Sequence, residues 1–166
     1  MPLQPVRTFN KTGGEWQNKL IFGDNLQALK TLLEMKRRGE LCNADGTPGV
    51  RLIYIDPPFA TKQEFRGSQD QKAYQDKIAG AEFVEFLRRR LILIRELLSE
   101  DGVAYIHLDY RKAHYAKIVL DEVFGENNFL NEVIWHYKRW PTPAREWQKM
   151  HDSLFAYTKR KGGHVF

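Results

Sequence analysis

Hydrophobic and polar positions divide the chain into short apolar runs that alternate with longer amphipathic segments. The apolar runs predict strands at residues 18–25, 51–59, 103–109, 131–138 and 153–159. The amphipathic segments predict helices at residues 26–39, 81–102 and 111–125, each of which ends in glycine. Strands that alternate with helices favour an α/β fold with a mostly parallel sheet and helices on both faces.

The same pattern predicts which residues are buried. The run RLIYIDPPF is continuously apolar up to Asp56, which is typical of a strand buried on both faces. NKLIFGDN is predicted to be a buried strand that ends in a turn at Asp24. In the helix over 81–102, the arginine run at 88–90 is predicted to be a solvated face. The apolar face of that helix comprises Phe83, Phe86, Leu87, Leu91 and Ile94.

Two segments lack a periodic pattern. Residues 1–17 carry Pro, Gly and polar side chains, and they are predicted to form a flexible N-terminal arm ahead of a single domain at 18–166. Residues 60–78 are polar and Gln-rich, and they are predicted to form a mobile surface loop.

Composition narrows the class of protein. Hydrophobic residues make up 42% and charged residues 28% of 166 residues, a balance typical of a globular domain without a membrane span. The start of the chain lacks the apolar core of a secretory signal, so we expect a cytoplasmic protein. A single cysteine, Cys42, excludes an internal disulfide, and the five histidines have no spacing that predicts a metal site. His107, which follows an apolar run, is interpreted as a hydrogen-bonded residue at a strand end.

The quartet Asp56-Pro57-Pro58-Phe59 is the strongest candidate for a catalytic site. An amino group on a nucleic-acid base is a poor nucleophile because its lone pair is delocalised into the ring. Two acceptors, the Asp56 carboxylate and the Pro57 carbonyl, would draw it toward a tetrahedral geometry, while the prolines stiffen the loop. Phe59 would stack on a base swung out of the duplex. The alternative is a rigid turn in which Asp56 caps a backbone N–H.

The quartet resembles the catalytic motif of amino-group DNA methyltransferases, whose form is Asp/Asn/Ser-Pro-Pro-Tyr/Phe/Trp. NKLIFGDNLQALKTL, FLRRRLILIRELLSEDGVAYIHLD, LDEVFGENNFLNEVIWHYK and HDSLFAYTK also resemble segments of the permuted β-class enzymes, which include modification subunits of restriction systems. The resemblance implies a Rossmann-like fold and methyl transfer from S-adenosylmethionine to DNA. It assigns Asp56, Pro57, Pro58 and Phe59 to the target-base pocket. It assigns Asp24, Asn25 and Asp56 to the cofactor.

An Asp at the first position of the quartet resembles the adenine-N6-specific members, and cytosine-N4 methylation is the alternative within the class. Methylation of RNA or of a protein glutamine uses a related quartet that more often begins with Asn, which counts against that possibility.

The family's glycine-rich loop, Phe-x-Gly-x-Gly, does not occur in the sequence. The resemblance therefore implies an incomplete catalytic domain that lacks the glycine loop, the target-recognition region and two strands of the sheet. We expect weak S-adenosylmethionine binding and little activity from the chain alone. Expected partners are DNA and a C-terminal half, a second copy or a restriction subunit. The alternative is a catalytically silent remnant that binds DNA or a partner chain.

The segment WHYKRWPTPAREWQK, at 135–149, mixes basic and aromatic residues. Basic side chains could contact phosphates while aromatic rings stack on bases. The alternative is a solvated basic loop whose tryptophans are buried in the core. The candidate DNA-binding residues are Lys138, Arg139, Trp140, Arg145 and Lys149.

Overall fold

A computed structural model describes residues 3–4, 18–58, 81–138, 140, 145 and 147–164. Its helices are α1 (Asn25–Arg37), α2 (Ala81–Leu97) and α3 (Ala113–Phe124), and a 3₁₀ turn covers Glu126–Asn128. Its strands are β1 (Val50–Ile55), β2 (Leu98–Asp109), β3 (Phe129–His136) and β4 (His151–Thr158). Most of the predicted arm at 1–17, the predicted loop at 60–78, Phe59 and Arg139 lie outside the described residues.

The strands form one sheet in the order β1-β2-β4-β3. β1 and β2 are parallel, whereas β4 is antiparallel to both β2 and β3. The predicted α/β class is confirmed, but the sheet is mixed rather than mostly parallel. The reason is that residues 137–150, which join β3 to β4, contain no helix among their described positions, and a parallel pair needs a crossover.

The core lies between the helices and one face of the sheet. Ile106 on β2 and Phe155 on β4 are opposite each other in register, and both are buried. They pack with Leu87 of α2 and Leu120 of α3 in a single apolar cluster that also reaches Leu29 of α1. All three described helices therefore pack on this face, whereas helices on both faces were predicted. On the opposite face the edge strands leave Leu52, Tyr54, Val133 and Trp135 substantially exposed.

The prediction of a buried strand at 18–25 is wrong. Residues 18–24 belong to no strand, and Leu20 and Phe22 are almost fully exposed. The prediction that the strand before Asp56 is buried on both faces is also wrong, because Leu52 is 62% and Tyr54 54% exposed. Among the described elements, β1 pairs only with β2 and no helix covers its outer face.

α2 ends at Leu97, five residues earlier than Gly102, the predicted end. Leu98 already pairs with Val50, and the register between β1 and β2 shifts before Leu52 pairs with Val103. Gly102 lies in this irregular part of β2, where an added Cβ would be 2.9 Å from the Val50 carbonyl oxygen. This glycine permits close approach of two strands and does not end a helix.

Lysines hold the end of α2. Lys36 Nζ donates to the carbonyl oxygens of Glu96 (2.6 Å) and Leu98 (2.7 Å), and Lys159 Nζ also donates to Leu98 (3.0 Å). Because Lys36 is near the end of α1, the two helices run in the same direction. The start of α1, at Asp24, therefore lies toward the carboxyl ends of β1 and β2.

Candidate active site

Asp56 comes directly after β1, at the carboxyl edge of the sheet. Ile55 pairs with Ile106, so the next residues along, Asp56 and His107, are neighbours across the parallel pair. Pro57 and Pro58 are half-buried, whereas Asp56 is exposed. The structure thus brings the Asp-Pro-Pro segment to the edge where α/β sheets bind ligands. The stacking role of Phe59 lies outside the described residues and stays a prediction.

Local charges act on the Asp56 carboxyl group. Desolvation raises the pKa of Asp56 above its usual value, and the negative charge of Asp152 raises it further, whereas His107 opposes both by lowering it. Among the residues that the structure describes, Asp56 accepts no hydrogen bond and caps no helix. The rigid-turn alternative, in which Asp56 caps a backbone N–H, therefore has no support in this part of the chain.

Beside Asp56, a row of polar side chains crosses the sheet. The Tyr54 hydroxyl lies 2.6 Å from His107 Nδ1, and His107 Nε2 lies 3.3 Å from Asp152 Oδ2. The Tyr137 hydroxyl donates to the other Asp152 oxygen at 3.3 Å. Desolvation, reinforced by Asp56 and Asp152, raises the pKa of Tyr54, so its hydroxyl keeps its proton. We call Tyr54, His107, Asp152 and Tyr137 the polar row.

Sequence analysis interpreted His107 alone, as a hydrogen-bonded residue at a strand end, and it missed the row. Part of the signal was available, because side chains alternate along a strand and residues 105 and 107 must therefore share a face. That residue 54 lies on the same face follows only from the register of β1 and β2, in which Tyr54 pairs with Tyr105. Asp152 joins them because β4 pairs antiparallel with β2, an arrangement that the pattern of residues did not predict.

The candidate cofactor residues Asp24 and Asn25 begin α1. Asp24 is its N-cap, and Oδ1 accepts from the backbone N–H groups of Leu26 (2.8 Å) and Gln27 (3.3 Å). Asp24 Oδ2 lies 3.8 Å from the guanidinium of Arg90. Arg90 Nε also donates to Asn25 Oδ1 at 2.7 Å. The two residues are therefore held in place at the start of α1.

The prediction that the arginine run at 88–90 is solvated is wrong for Arg90. Its side chain is only 9% exposed, its Nη1 donates to the Phe86 carbonyl at 3.0 Å, and its guanidinium lies 3.4 Å from the centroid of the Phe86 ring. Arg88 and Arg89 do lie at the surface, where both pair with Glu85. The missed signal is spacing: residue 90 follows Phe83 by seven and Leu87 by three, on the buried face.

The candidate DNA-binding residues that the structure describes are all exposed. Lys138, Arg145 and Lys149 are accessible, and Trp140 is 92% exposed. Trp147 in the same segment is 95% exposed, so the alternative in which the tryptophans are buried in the core is wrong for these positions. Lys149 Nζ lies 5.6 Å from the Tyr110 ring centroid, while Arg139 is outside the described residues.

A family model of DNA methylases, N6_N4_Mtase, matches residues 50–165, which are more than half of the chain. The chain belongs to this DNA methylase family. The match begins at β1 and runs through Asp56, the polar row and the basic segment at 135–149. Asp24 and Asn25 lie outside it. The predicted resemblance to amino-group DNA methyltransferases is confirmed.

Two curated relatives are similar to this chain over most of its length. The type II methyltransferase M.EcaI of Enterobacter cloacae is 38% identical over 116 residues, covering 70% of this chain and 23% of that enzyme. The type III restriction-modification enzyme EcoP15I Mod subunit of Escherichia coli is 31% identical, covering 87% of this chain and 24% of that subunit. The methylase chain thus spans about a quarter of the length of these relatives.

A solved structure agrees with the fold. The PvuII DNA methyltransferase, described as cytosine-N4-specific, superposes with a TM-score of 0.52 at 14% identity, covering 84% of this chain and 48% of that one. The predicted methyltransferase fold is thereby confirmed.

The described part of the methylase lacks a metal-binding cluster and a membrane-spanning helix. Among the described residues, no group of three or more His, Cys, Asp or Glu side chains could hold a metal ion. No helix in the described ranges is long and apolar enough to cross a membrane.

Proposed function

We propose that this chain supplies the target-base pocket of an S-adenosylmethionine-dependent DNA methyltransferase that acts on adenine N6. The observation that carries the proposal is the Asp56-Pro57-Pro58 segment, at the carboxyl edge of the sheet, within a stretch that matches DNA methylases. The choice of adenine rests on Asp at the first position of the quartet. Cytosine-N4 is the alternative base within the same chemistry.

In this proposal Asp56 and Pro57 act on the amino group of the base. The Asp56 carboxylate and the Pro57 carbonyl each accept an N–H, which localises the lone pair on nitrogen. Pro57 and Pro58 fix the loop, so little reorganisation accompanies the reaction. Phe59 stacks on the extruded base and holds its face in place. The ionised Asp56 carboxylate accepts from the amino group more strongly than the neutral acid does.

Asp24, Asn25 and Asp56 are the residues proposed to hold the cofactor. Their carboxylate and amide oxygens suit the hydroxyl and amino hydrogens of a nucleoside, and a carboxylate also suits a sulfonium cation, so the donor set fits S-adenosylmethionine. S-adenosylmethionine, when bound, supplies the electrophilic methyl group. Because the glycine-rich loop does not occur in the sequence, we expect the 166-residue chain to bind the cofactor weakly unless another chain or segment completes the pocket.

Replacement of Asp56 tests the proposed role directly. Because activity of the chain alone is expected to be low, the assay uses a chimaera in which residues 50–165 replace the matching segment of the Enterobacter methyltransferase. We expect the chimaera to methylate DNA and its Asp56→Ala form to lose at least 100-fold in rate, about the size of effect that one positioned acceptor contributes. Digestion of the DNA and mass spectrometry of the nucleosides identify the methylated base.

A matched control is Glu132→Ala, because Glu132 is an exposed acidic residue inside the exchanged segment and lies on β3, at the opposite edge of the sheet from β1. Retained methylation by the Asp56→Ala chimaera would disprove the role of Asp56. N4-methylcytosine in place of N6-methyladenine would overturn only the choice of adenine as the target base and would leave the role of Asp56 unchanged.

A second function is favoured by the exposed tryptophans: a DNA-binding remnant without catalysis. Trp140 and Trp147 project from a basic segment that also carries Lys138 and Lys149. Titration of the chain with duplex DNA, followed by tryptophan fluorescence at two salt concentrations, tests it. Salt-dependent quenching by the chain, together with a chimaera that does not methylate DNA, would favour the remnant over the methyltransferase.

A further inference from the structure

The polar row reaches the proposed catalytic carboxylate from the side, and the methyl-transfer chemistry described above does not use it. His107 is the next residue across the sheet from Asp56, as the pairing of Ile55 with Ile106 requires. Its side chain is 19% exposed and makes hydrogen bonds at both ring nitrogens. The imidazole is therefore fixed in orientation beside Asp56.

The partners of His107 suit both of its protonation states. Asp152 only accepts, so Nε2 carries a proton on that side. On the other side Nδ1 meets the Tyr54 hydroxyl at 2.6 Å, and a hydroxyl can either donate to a neutral ring or accept from a charged one. His107 can thus gain or lose its charge while both contacts are kept. Neither partner has to move.

We propose that His107 is a positioning residue for Asp56: held by Tyr54 and Asp152, its imidazolium favours the carboxylate form of Asp56. The inference rests on the proposed function, because the carboxylate is the form that accepts more strongly from the target amino group. Asp152 has the opposite direct effect on Asp56, since it is a second negative charge on the same face. The row therefore contains one group that promotes ionisation of Asp56 and one that opposes it.

Other titratable groups around His107 come from each neighbouring element. Tyr54 and Asp56 belong to β1 and its turn, Asp152 to β4, and Tyr137 follows β3 and reaches Asp152. Asp109, two residues further along β2, pairs in register with Asp152 and is bound by Arg111. Of these, Asp152 is the carboxylate that contacts His107, whereas Asp109 already pairs with Arg111.

The test is a carboxyl titration of Asp56 in the full chain, followed by ¹³C NMR from pH 3 to 8 without DNA or cofactor. In His107→Gln, which cannot carry a charge, we expect the Asp56 midpoint to move to higher pH. In Asp152→Asn we expect it to move to lower pH. A merely structural role for His107 would not give shifts of opposite sign.

The matched control is His114→Gln, the same substitution at an exposed position on α3. It should leave the Asp56 midpoint unchanged. Backbone amide spectra identify any variant that fails to fold, and Tyr54→Phe, which keeps every charge, then reports whether loss of a hydrogen bond alone moves the midpoint. Equal midpoints in the wild type, His107→Gln and Asp152→Asn would overturn the inference. Because no methylation is measured, failure of the proposed function would not produce that result.

Discussion

Arg90 offers a direct test of how the start of α1 is fixed to α2. We consider Arg90→Met, which keeps an apolar stem over Phe86 but removes the guanidinium. The change removes the donor to Asn25 (2.7 Å), the donor to the Phe86 carbonyl (3.0 Å) and the cation over the Phe86 ring (3.4 Å). The weaker approach to Asp24 (3.8 Å) is lost as well.

The magnitude follows from these contacts. A hydrogen bond from a charged donor contributes about 1.5–3 kcal/mol, and a cation over an aromatic ring about 1 kcal/mol. Asn25 is exposed and water can replace its lost partner, so the lower end of the range applies there. Because such terms are not additive, we expect the free energy of unfolding to fall by about 2–3 kcal/mol.

The assay is urea unfolding followed by circular dichroism, with Arg89→Met as the control. Arg89 is 64% exposed and pairs with Glu85 across one helical turn, so its loss should cost only about 0.3–0.5 kcal/mol. With a urea dependence of about 2 kcal/mol per molar, Arg90→Met should lower the midpoint by roughly 1 M or more. Equal midpoints for the two variants would refute the buried role of Arg90.

Two further predictions concern the junction between α1, α2 and β1. Gly49→Ala should destabilise the fold by about 2–4 kcal/mol in thermal or urea unfolding, since Gly49 has φ +101° and an added Cβ would be 2.5 Å from the Leu97 carbonyl oxygen. Gly39 also has a positive φ, but an added Cβ would meet open space, so Gly39→Ala should lower the free energy of unfolding by only about 1 kcal/mol. Equal losses of stability in the two variants would contradict the predicted clash with the Leu97 carbonyl oxygen. Desolvation and the charge of Lys159 lower the pKa of Lys36 from 10.5 to about 8. Between these pH values the unfolded chain binds the Lys36 proton and the folded chain does not. The free energy of unfolding should therefore rise with pH from about 8 to 10.5, and this rise should be smaller in Lys36→Met. Identical pH dependence of the urea midpoints in both proteins would contradict that linkage.

The helices were predictable because their signal is local. Phe83, Leu87, Leu91 and Ile94 recur at helical spacing, and all four are buried as predicted. The wrong prediction for the end of α2 also has a local cause. A glycine after an amphipathic segment is typical of a helix end, but Gly102 lies in β2. Only the pairing of Leu98 with Val50 reveals that difference.

Sheet order and the polar row were not predictable, because both depend on contacts between residues far apart in the sequence. No pattern of apolar and polar residues within 129–158 predicts that β4 lies between β2 and β3. The position of Asp56 at a strand end was predictable, because an apolar run that is followed by Asp-Pro-Pro marks the end of a strand in the sequence itself. Its neighbours His107 and Asp152 come from two other strands, and the register alone brings them together.

The connection between β3 and β4 leaves and re-enters the sheet at one place. His136 pairs with His151, and the Tyr137 N–H donates to the Met150 carbonyl at 3.0 Å, so both ends of the 137–150 segment are fixed by backbone pairing. The entropy of closing a loop grows only with the logarithm of its length, and doubling the number of residues costs about 0.6 kcal/mol. Insertions between these two ends are therefore thermodynamically inexpensive, and the basic segment can change in length and sequence while the strands below it keep their register.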